Sequence, residues 1–134
     1  MPSTISSPCP CGHRRLYESC CGRLHGGEAA ADAEMLMRSR YSAYVLRLEP
    51  YLLATWHRST RPESLDLADG MPVNWLGLEV KRHVALDPDH ATVEFVARYK
   101  VGGRAHRIHE LSRFVREKGR WYYVDGDVDQ PGRT

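Results

Sequence analysis

The sequence predicts an α+β domain preceded by a small cysteine-rich segment, and three observations support this prediction. All four cysteines lie between residues 9 and 21. Apolar residues then recur at helical spacing up to about residue 56, and from Val73 onward they alternate with a period of two. Helices followed by consecutive strands are typical of an antiparallel sheet that carries its helices on one face.

Length and composition limit the class of protein. A chain of 134 residues fits one compact core with a small appendage. The net charge of +2 is too low to support nucleic-acid binding. No apolar run approaches the roughly 18 residues that a membrane span needs, and the N-terminal stretch "MPSTISSPCPCG" lacks the pattern of a secretory signal. We therefore expect a cytoplasmic protein.

The cysteines are spaced as Cys9-x-Cys11, eight residues, and then Cys20-Cys21. In a reducing compartment, clustered thiols bind a metal more often than they form disulfides. Zinc accepts four thiolates in a tetrahedron and needs no surrounding core. The spacing therefore predicts a zinc knuckle with these four ligands.

Two alternatives to this ligand set remain open. A disulfide between Cys20 and Cys21, or a redox pair, is less favoured because the sequence contains no Cys-x-x-Cys motif. His13 or His25 is an alternative fourth ligand, because neighbouring cysteines must twist to reach a single ion.

Helix signals follow a linker of small residues at 25–32. Asp32 is a suitable N-cap for the first helix. Pro50 suits the first turn of a second helix that carries Trp56. The sequence "TRPE" at 60–63 resembles a capping box and predicts a short third helix near Glu63–Leu67.

Four strands are predicted after these helices. "DPDH" at 87–90 and "EKGR" at 117–120 read as turns, and Gly102-Gly103 is a hairpin signal. These signals separate a strand that begins at Val73, one that contains Phe95 and Tyr99, one over Arg104–Arg116, and one over residues 121–128.

The cysteine pattern resembles the SEC-C motif, known as the zinc-binding tail of the preprotein translocase motor SecA. The last ligand of that motif is usually histidine, and Cys21 occupies its place here. Together with "LMRSRYSAYV" at 36–45 and "LLATWHRSTRP" at 52–62, the motif makes the chain similar to the uncharacterised bacterial YchJ family.

The YchJ resemblance implies two parts, a zinc knuckle over residues 1–27 and a nuclear transport factor 2-like domain over residues 28–134. In that fold, which ketosteroid isomerase shares, a curved antiparallel sheet forms a cone around the helices. The cone is open at one end and can enclose a cavity.

The third strand supplies candidate pocket residues. Successive side chains on a strand point to opposite faces, so Glu110, Ser112 and Phe114 share one face. We expect that face to point into the cone, because Phe95 has the same parity on its own strand. The further candidates for this pocket are Tyr41, Trp56, His57 and Tyr99. Glu110 is then either a proton-transfer base with a raised pKa or, more commonly for a buried acid, the partner of Arg40 or Arg98.

Two classes of function follow. The sequence contains no phosphate loop, nucleophile elbow or metalloprotease motif, so it leaves open whether the protein is an enzyme. An adaptor is favoured, with the knuckle as a docking surface and the cone as scaffold; Arg14, Arg15 and Arg23 would suit an acidic partner. The alternative, an isomerase, dehydratase or hydrolase acting on a small molecule in the cone, depends on fold analogy alone. The size of the cone cavity discriminates between them.

Overall fold

A computed structural model describes residues 8–12, 15–65 and 73–129. A 3-10 turn (Tyr17–Ser19) precedes three helices, which are α1 (Cys21–His25), α2 (Ala33–Leu46) and α3 (Glu49–Ala54). The strands are β1 (Val73–Asp87), β2 (His90–Val101), β3 (Arg104–Glu117) and β4 (Arg120–Asp129), and they form one antiparallel sheet in chain order. The predicted α+β class is confirmed, and the four strands lie where the sequence placed them.

The sheet bends because the pairing register of its strands shifts. β1 is out of register with β2 at three points, between Trp75 and Gly77, between Val80 and Arg82, and between Ala85 and Asp87. A further shift follows Arg113 in β3. Such bulges bend a strand and increase its twist, which allows β1, β2 and β4 all to contact α2.

Helix α2 begins and ends as its local sequence dictates. The side chain of Asp32 accepts a hydrogen bond of 2.8 Å from the backbone N–H of Met35, which confirms the predicted N-cap. The helix ends at Leu46, because the left-handed backbone of the next residue, Arg47 (φ 59°), stops the helical path.

Helix α3 is shorter than predicted. Pro50 lies in its first turn as expected, but the helix ends at Ala54, so Trp56 lies beyond it. The cause is a competing strand-like contact. The backbone N–H of His57 donates to the carbonyl of Tyr123, and the N–H of Tyr123 donates to the carbonyl of Thr55. Pairing with β4 therefore replaces the next helical turn.

The predicted third helix is wrong over its described part. Residues 63–65 have no helical structure, and the rest of the predicted Glu63–Leu67 lies outside the described residues. The backbone N–H of Leu65 donates instead to the carboxylate of Glu49, at the start of α3. A long-range contact thus replaces the local capping pattern.

The cysteine segment packs against the same helix as the sheet. All four cysteines belong to one buried cluster that also includes Leu36 and Met37 of α2, and Val93, Phe95 and Phe114 of the sheet. The boundary between residues 27 and 28 stays a prediction, but side chains from both sides of it share this cluster. No helix within the described ranges is long and apolar enough to cross a membrane.

We expect Asp32→Ala to destabilise the protein by about 1 kcal/mol, because the substitution leaves the N–H of Met35 without its side-chain acceptor. Urea unfolding of the full chain measures this effect, and Asp32→Ser is the matched control because serine is also a good N-cap. Equal stability of the alanine and serine variants would show that this cap contributes nothing.

Candidate functional site

The backbone around the cysteines brings two separate turns together. The N–H of Cys9 donates to the carbonyl of Arg15, and the N–H of Gly12 donates back to the carbonyl of Cys9. Gly12 has a positive φ of 81°, which glycine adopts without strain. This tight turn places Cys9 and Cys11 beside the start of α1.

The adjacent cysteines reach the same point because they differ in backbone conformation. Cys20 precedes α1 with φ −128° and ψ −113°, outside the helical region, whereas Cys21 is the first residue of the helix. The chain therefore twists between them, as a shared metal site requires.

The four cysteines can hold a metal ion. Their Sγ atoms all lie within 4.8 Å of one another, and the Sγ atoms of Cys11 and Cys20 are 3.7 Å apart. A tetrahedral zinc–sulfur site has sulfur–sulfur distances of about 3.8 Å, given bonds of about 2.3 Å. All four side chains are buried, with at most 5% of any residue exposed. The spacing and burial of the sulfurs therefore fit such an ion.

The protonation chemistry of the cluster also favours a cation. Hydrogen bonds from the thiols of Cys11 and Cys21 lower the pKa of Cys9 far below its usual value. The pKa of Cys21 is raised, mainly by its hydrogen bonds with Cys11 and Cys9 and also by burial. The neighbouring thiols thus stabilise the thiolate of Cys9, whereas the same neighbours and burial disfavour ionisation of Cys21. A bound divalent cation would stabilise both thiolates.

Both ring nitrogens of His25 are engaged by groups other than the cysteines. Its Nε2 donates to the carbonyl of Ser39 at 2.8 Å, so in the neutral ring Nδ1 accepts from the hydroxyl of Tyr17 at 2.6 Å. Burial lowers the pKa of His25, which favours this neutral form. His25 therefore ties the knuckle to α2. The other alternative ligand, His13, lies outside the described residues.

A second site lies between α2 and the sheet, where the structure forms a half-open cavity of about 90 Å³. Glu110 and Ser112 both line it, on the helix side of β3. The carboxylate of Glu110 accepts hydrogen bonds from the hydroxyls of Ser112 (2.6 Å) and Tyr123 (3.2 Å). The other lining residues are Met37, Arg40, Tyr44, Trp56, Phe95, Phe114 and Tyr123.

The opposite face of β3 carries the ion pairs. His109 binds Glu94 at 2.6 Å, and Arg113 binds Asp125 and Asp127 in β4. The two faces of β3 therefore separate the cavity from a charged outer surface.

Three candidate pocket residues lie away from this cavity. Tyr41 and Tyr99 both pack on Trp75, with ring centroids 5.6 and 5.3 Å away, and burial raises the pKa of Tyr41 to about 12. Tyr99 shares a face with Phe95 but lies four residues, or roughly 13 Å, further along β2. His57 lies at the far end of β3, where it binds Glu117 at 2.9 Å. These three residues therefore do not line the cavity that Glu110 and Ser112 share. For Tyr99 the reason is that parity fixes the face and not the position along a strand.

The expected salt bridge of Glu110 is also absent from the described residues. Arg98 lies 3.9 Å from Glu79 instead. Arg40 lines the same cavity as Glu110, but its Nη1 donates to the carbonyl of Leu52 and the hydroxyl of Thr55. The hydroxyls of Ser112 and Tyr123 take the role that the sequence had assigned to an arginine.

Comparisons with known proteins agree with this architecture. The family described as "YchJ, middle NTF2-like domain" matches residues 32–126. A UPF0225 protein from Cupriavidus metallidurans is 61% identical, over 96% of this chain and 94% of its own length. A UPF0225 protein from Methylibium petroleiphilum is 60% identical, over 92% of this chain and 90% of its own length.

Two solved structures have a similar fold. The solution structure of a SEC-C motif containing protein from Rhodopseudomonas palustris has a TM-score of 0.79 and 33% identity, over 92% of this chain and 100% of that one. The crystal structure of a SEC-C motif containing protein from Psychrobacter arcticus has a TM-score of 0.73 and 32% identity, over 93% of this chain and 83% of that one.

We expect Gly22→Ala to weaken binding of a divalent metal by roughly 10-fold or more. A Cβ at this position would lie 2.7 Å from the carbonyl oxygen of Tyr17, so α1 must shift together with Cys20 and Cys21. Competition with a chromophoric chelator measures the affinity. Gly77→Ala is the matched control, because a Cβ there meets nothing within 4 Å. Equal affinities of the two variants would contradict this account of the knuckle.

Proposed function

The chain belongs to the YchJ family, as its sequence motifs predicted, and from this premise we propose that it is a zinc-binding adaptor protein. In this proposal the cysteine knuckle holds one zinc ion and contacts a macromolecular partner, while the cone serves as scaffold. The observation that carries the proposal is the buried cluster of four sulfur atoms, packed against α2 beneath an exposed surface.

Zinc is the metal that best suits this donor set. Four thiolates in tetrahedral spacing favour zinc or an iron–sulfur centre, and zinc is the usual ion of a small structural site. Such an ion would hold together a segment that has few apolar residues of its own. Four reduced cysteines within thirteen residues also suit the cytoplasm, where thiols stay reduced, so we include that location in the proposal.

The outer surface of the knuckle supports the contact role. Leu16 is 49% exposed beside the buried cysteines, and Arg15 next to it is also exposed. Arg23 is half exposed and pairs with Glu28, whereas Arg14 lies outside the described residues. An exposed leucine beside an exposed arginine suits a partner with apolar and acidic side chains.

The enzyme alternative receives less support. Ordinary small-molecule sites have volumes of roughly 300–1,000 Å³, whereas the cone cavity measures about 90 Å³. The aromatic side chains of Trp56, Phe95 and Phe114 line this cavity. A cavity of this size favours the adaptor over a conventional isomerase, dehydratase or hydrolase.

We expect the full chain, expressed with sufficient zinc, to contain about one equivalent of the metal. Cys11→Ser combined with Cys20→Ser should lose most of it, because one ligand is removed from each of the two turns. Elemental analysis of the purified proteins measures the metal, and Ser19→Ala, at an exposed neighbouring position, is the control. Full zinc retention by the double serine variant would refute the ligand assignment.

We expect Arg15→Glu combined with Leu16→Ser to abolish partner binding without releasing zinc, because both side chains are exposed. Crosslinking in cells with the tagged full chain, followed by mass spectrometry, identifies the partner. Leu86→Ser is the control for loss of a surface leucine, since Leu86 is 62% exposed on β1. The adaptor proposal fails if no partner rises above background, or if the knuckle variant captures it as well as the control does.

A further inference from the structure

Arg40 is a buried cation with neutral hydrogen-bond partners. Only 5% of the residue is exposed, and its Nη1 donates to the carbonyl of Leu52 at 2.8 Å and the hydroxyl of Thr55 at 2.7 Å. Its Nε and Nη2 make no hydrogen bond to any residue that the structure describes. Burying a charged group is costly. The charge of Glu110 acts on this guanidinium, but no carboxylate among the described residues hydrogen-bonds to it, so its free nitrogens can receive an acceptor.

The indole of Trp56, next to Arg40, is a second hydrogen-bond donor without an acceptor among the described residues. Its Nε1–H is buried. The guanidinium of Arg40 lies over its ring, 5.0 Å from the centroid, and also over the ring of Tyr123 at 4.6 Å. Buried polar groups are nearly always hydrogen-bonded. Arg40 and Trp56 both line the cavity, so an acceptor that enters it lies beside the free nitrogens of Arg40 and the indole of Trp56.

Glu110 supplies the opposite chemistry across the cavity. Its Oε2 accepts from Ser112 and Tyr123, and its Oε1 has no hydrogen-bond partner among the described residues. Arg40 and Glu110 line the same space without an ion pair between them. The cavity is therefore bipolar, with the donors of Arg40 and Trp56 on one side and the carboxylate acceptor of Glu110 on the other.

The volume limits the size of an occupant. A cavity of about 90 Å³ has room for about three water molecules, or for a molecule of about five non-hydrogen atoms. Phe95 and Phe114 give the cavity aromatic walls that offer no hydrogen bond. A ligand that fits is therefore compact and carries an acceptor at one end and a donor at the other.

We propose that this cavity binds a small carboxylate that carries a hydroxyl or ammonium group on its α-carbon. The carboxylate accepts from the free nitrogens of Arg40 and from the indole of Trp56, and the α-substituent donates to Glu110. The site is separate from the cysteine knuckle, and it does not depend on the proposed adaptor function.

Nitrogen–proton correlation NMR of the zinc-loaded full chain tests the proposal, with glycolate as the probe. The chain has three tryptophans, so the indole signals of Trp75 and Trp121 are internal controls for that of Trp56. We expect glycolate to shift the Trp56 indole signal saturably, with a Kd in the submillimolar to low millimolar range. Acetate lacks the donor and glycolamide lacks the charge, and each should bind at least ~10-fold more weakly.

Arg40→Lys should weaken glycolate binding at least ~10-fold, because lysine cannot reproduce the planar set of donors. If that variant fails to fold, Trp56→Phe removes the indole donor and keeps the ring, and the amide signals of Glu110 and Ser112 then report binding. Three results would overturn the proposal. They are no saturable shift up to ~50 mM glycolate, equal shifts of all three indoles, and glycolamide or acetate binding as tightly as glycolate.

Discussion

Burial of α2 on almost every side is the constraint on which the rest of the structure depends. Its buried residues occupy successive positions around the helix instead of one stripe: Ala33, Leu36, Met37, Ser39, Arg40, Tyr41, Ser42 and Ala43. A helix buried in this way must find partners in several directions. The cysteine knuckle, α3 and the sheet each cover one part of it, so none of the three can be removed without exposing helix surface.

Polar groups of α2 form hydrogen bonds to the segments that pack against it. The hydroxyl of Ser42 contacts the Sγ of Cys9 at 3.6 Å. The backbone carbonyl of Ser39 accepts from Nε2 of His25, and the hydroxyl of Ser39 hydrogen-bonds to the hydroxyl of Tyr51. Arg38 adds a hydrogen bond to the carbonyl of Cys11. These contacts fix the knuckle to α2 through polar groups, which explains how a segment with few apolar side chains joins the main core.

Local patterns predicted the elements whose contacts are also local. The cap at Asp32, the alternation of β2 and the Gly102-Gly103 turn depend on near neighbours in the chain, and each lies where the sequence placed it. The end of α3 and the absence of helix at residues 63–65 depend on Tyr123 and Glu49, which are distant in sequence. The pattern of a single sequence carries no information about such distant partners. At these two places the long-range contacts outweigh the local helix propensity.

The candidate sites also differ in how far their residues are separated in the chain. Spacing alone identified the four cysteines, because metal ligands on two tight turns leave a local signature. Strand parity placed Glu110 and Ser112 on one face, but Arg40 and Tyr44 join them from α2 and Tyr123 joins them from β4. His25 contributes through Tyr17 and Ser39, eight and fourteen residues away, and no spacing rule predicts that pair.

The position of Arg40 links the fold to the cavity. Its Nη1 joins α2 to α3 through Leu52 and Thr55, a role that needs a donor but no charge. Burial lowers the pKa of Arg40, so desolvation opposes its charged form. The rings of Trp56 and Tyr123, 5.0 and 4.6 Å from the guanidinium, and the charge of Glu110 act in the opposite direction. The proposed ligand would add an anionic acceptor to these contacts.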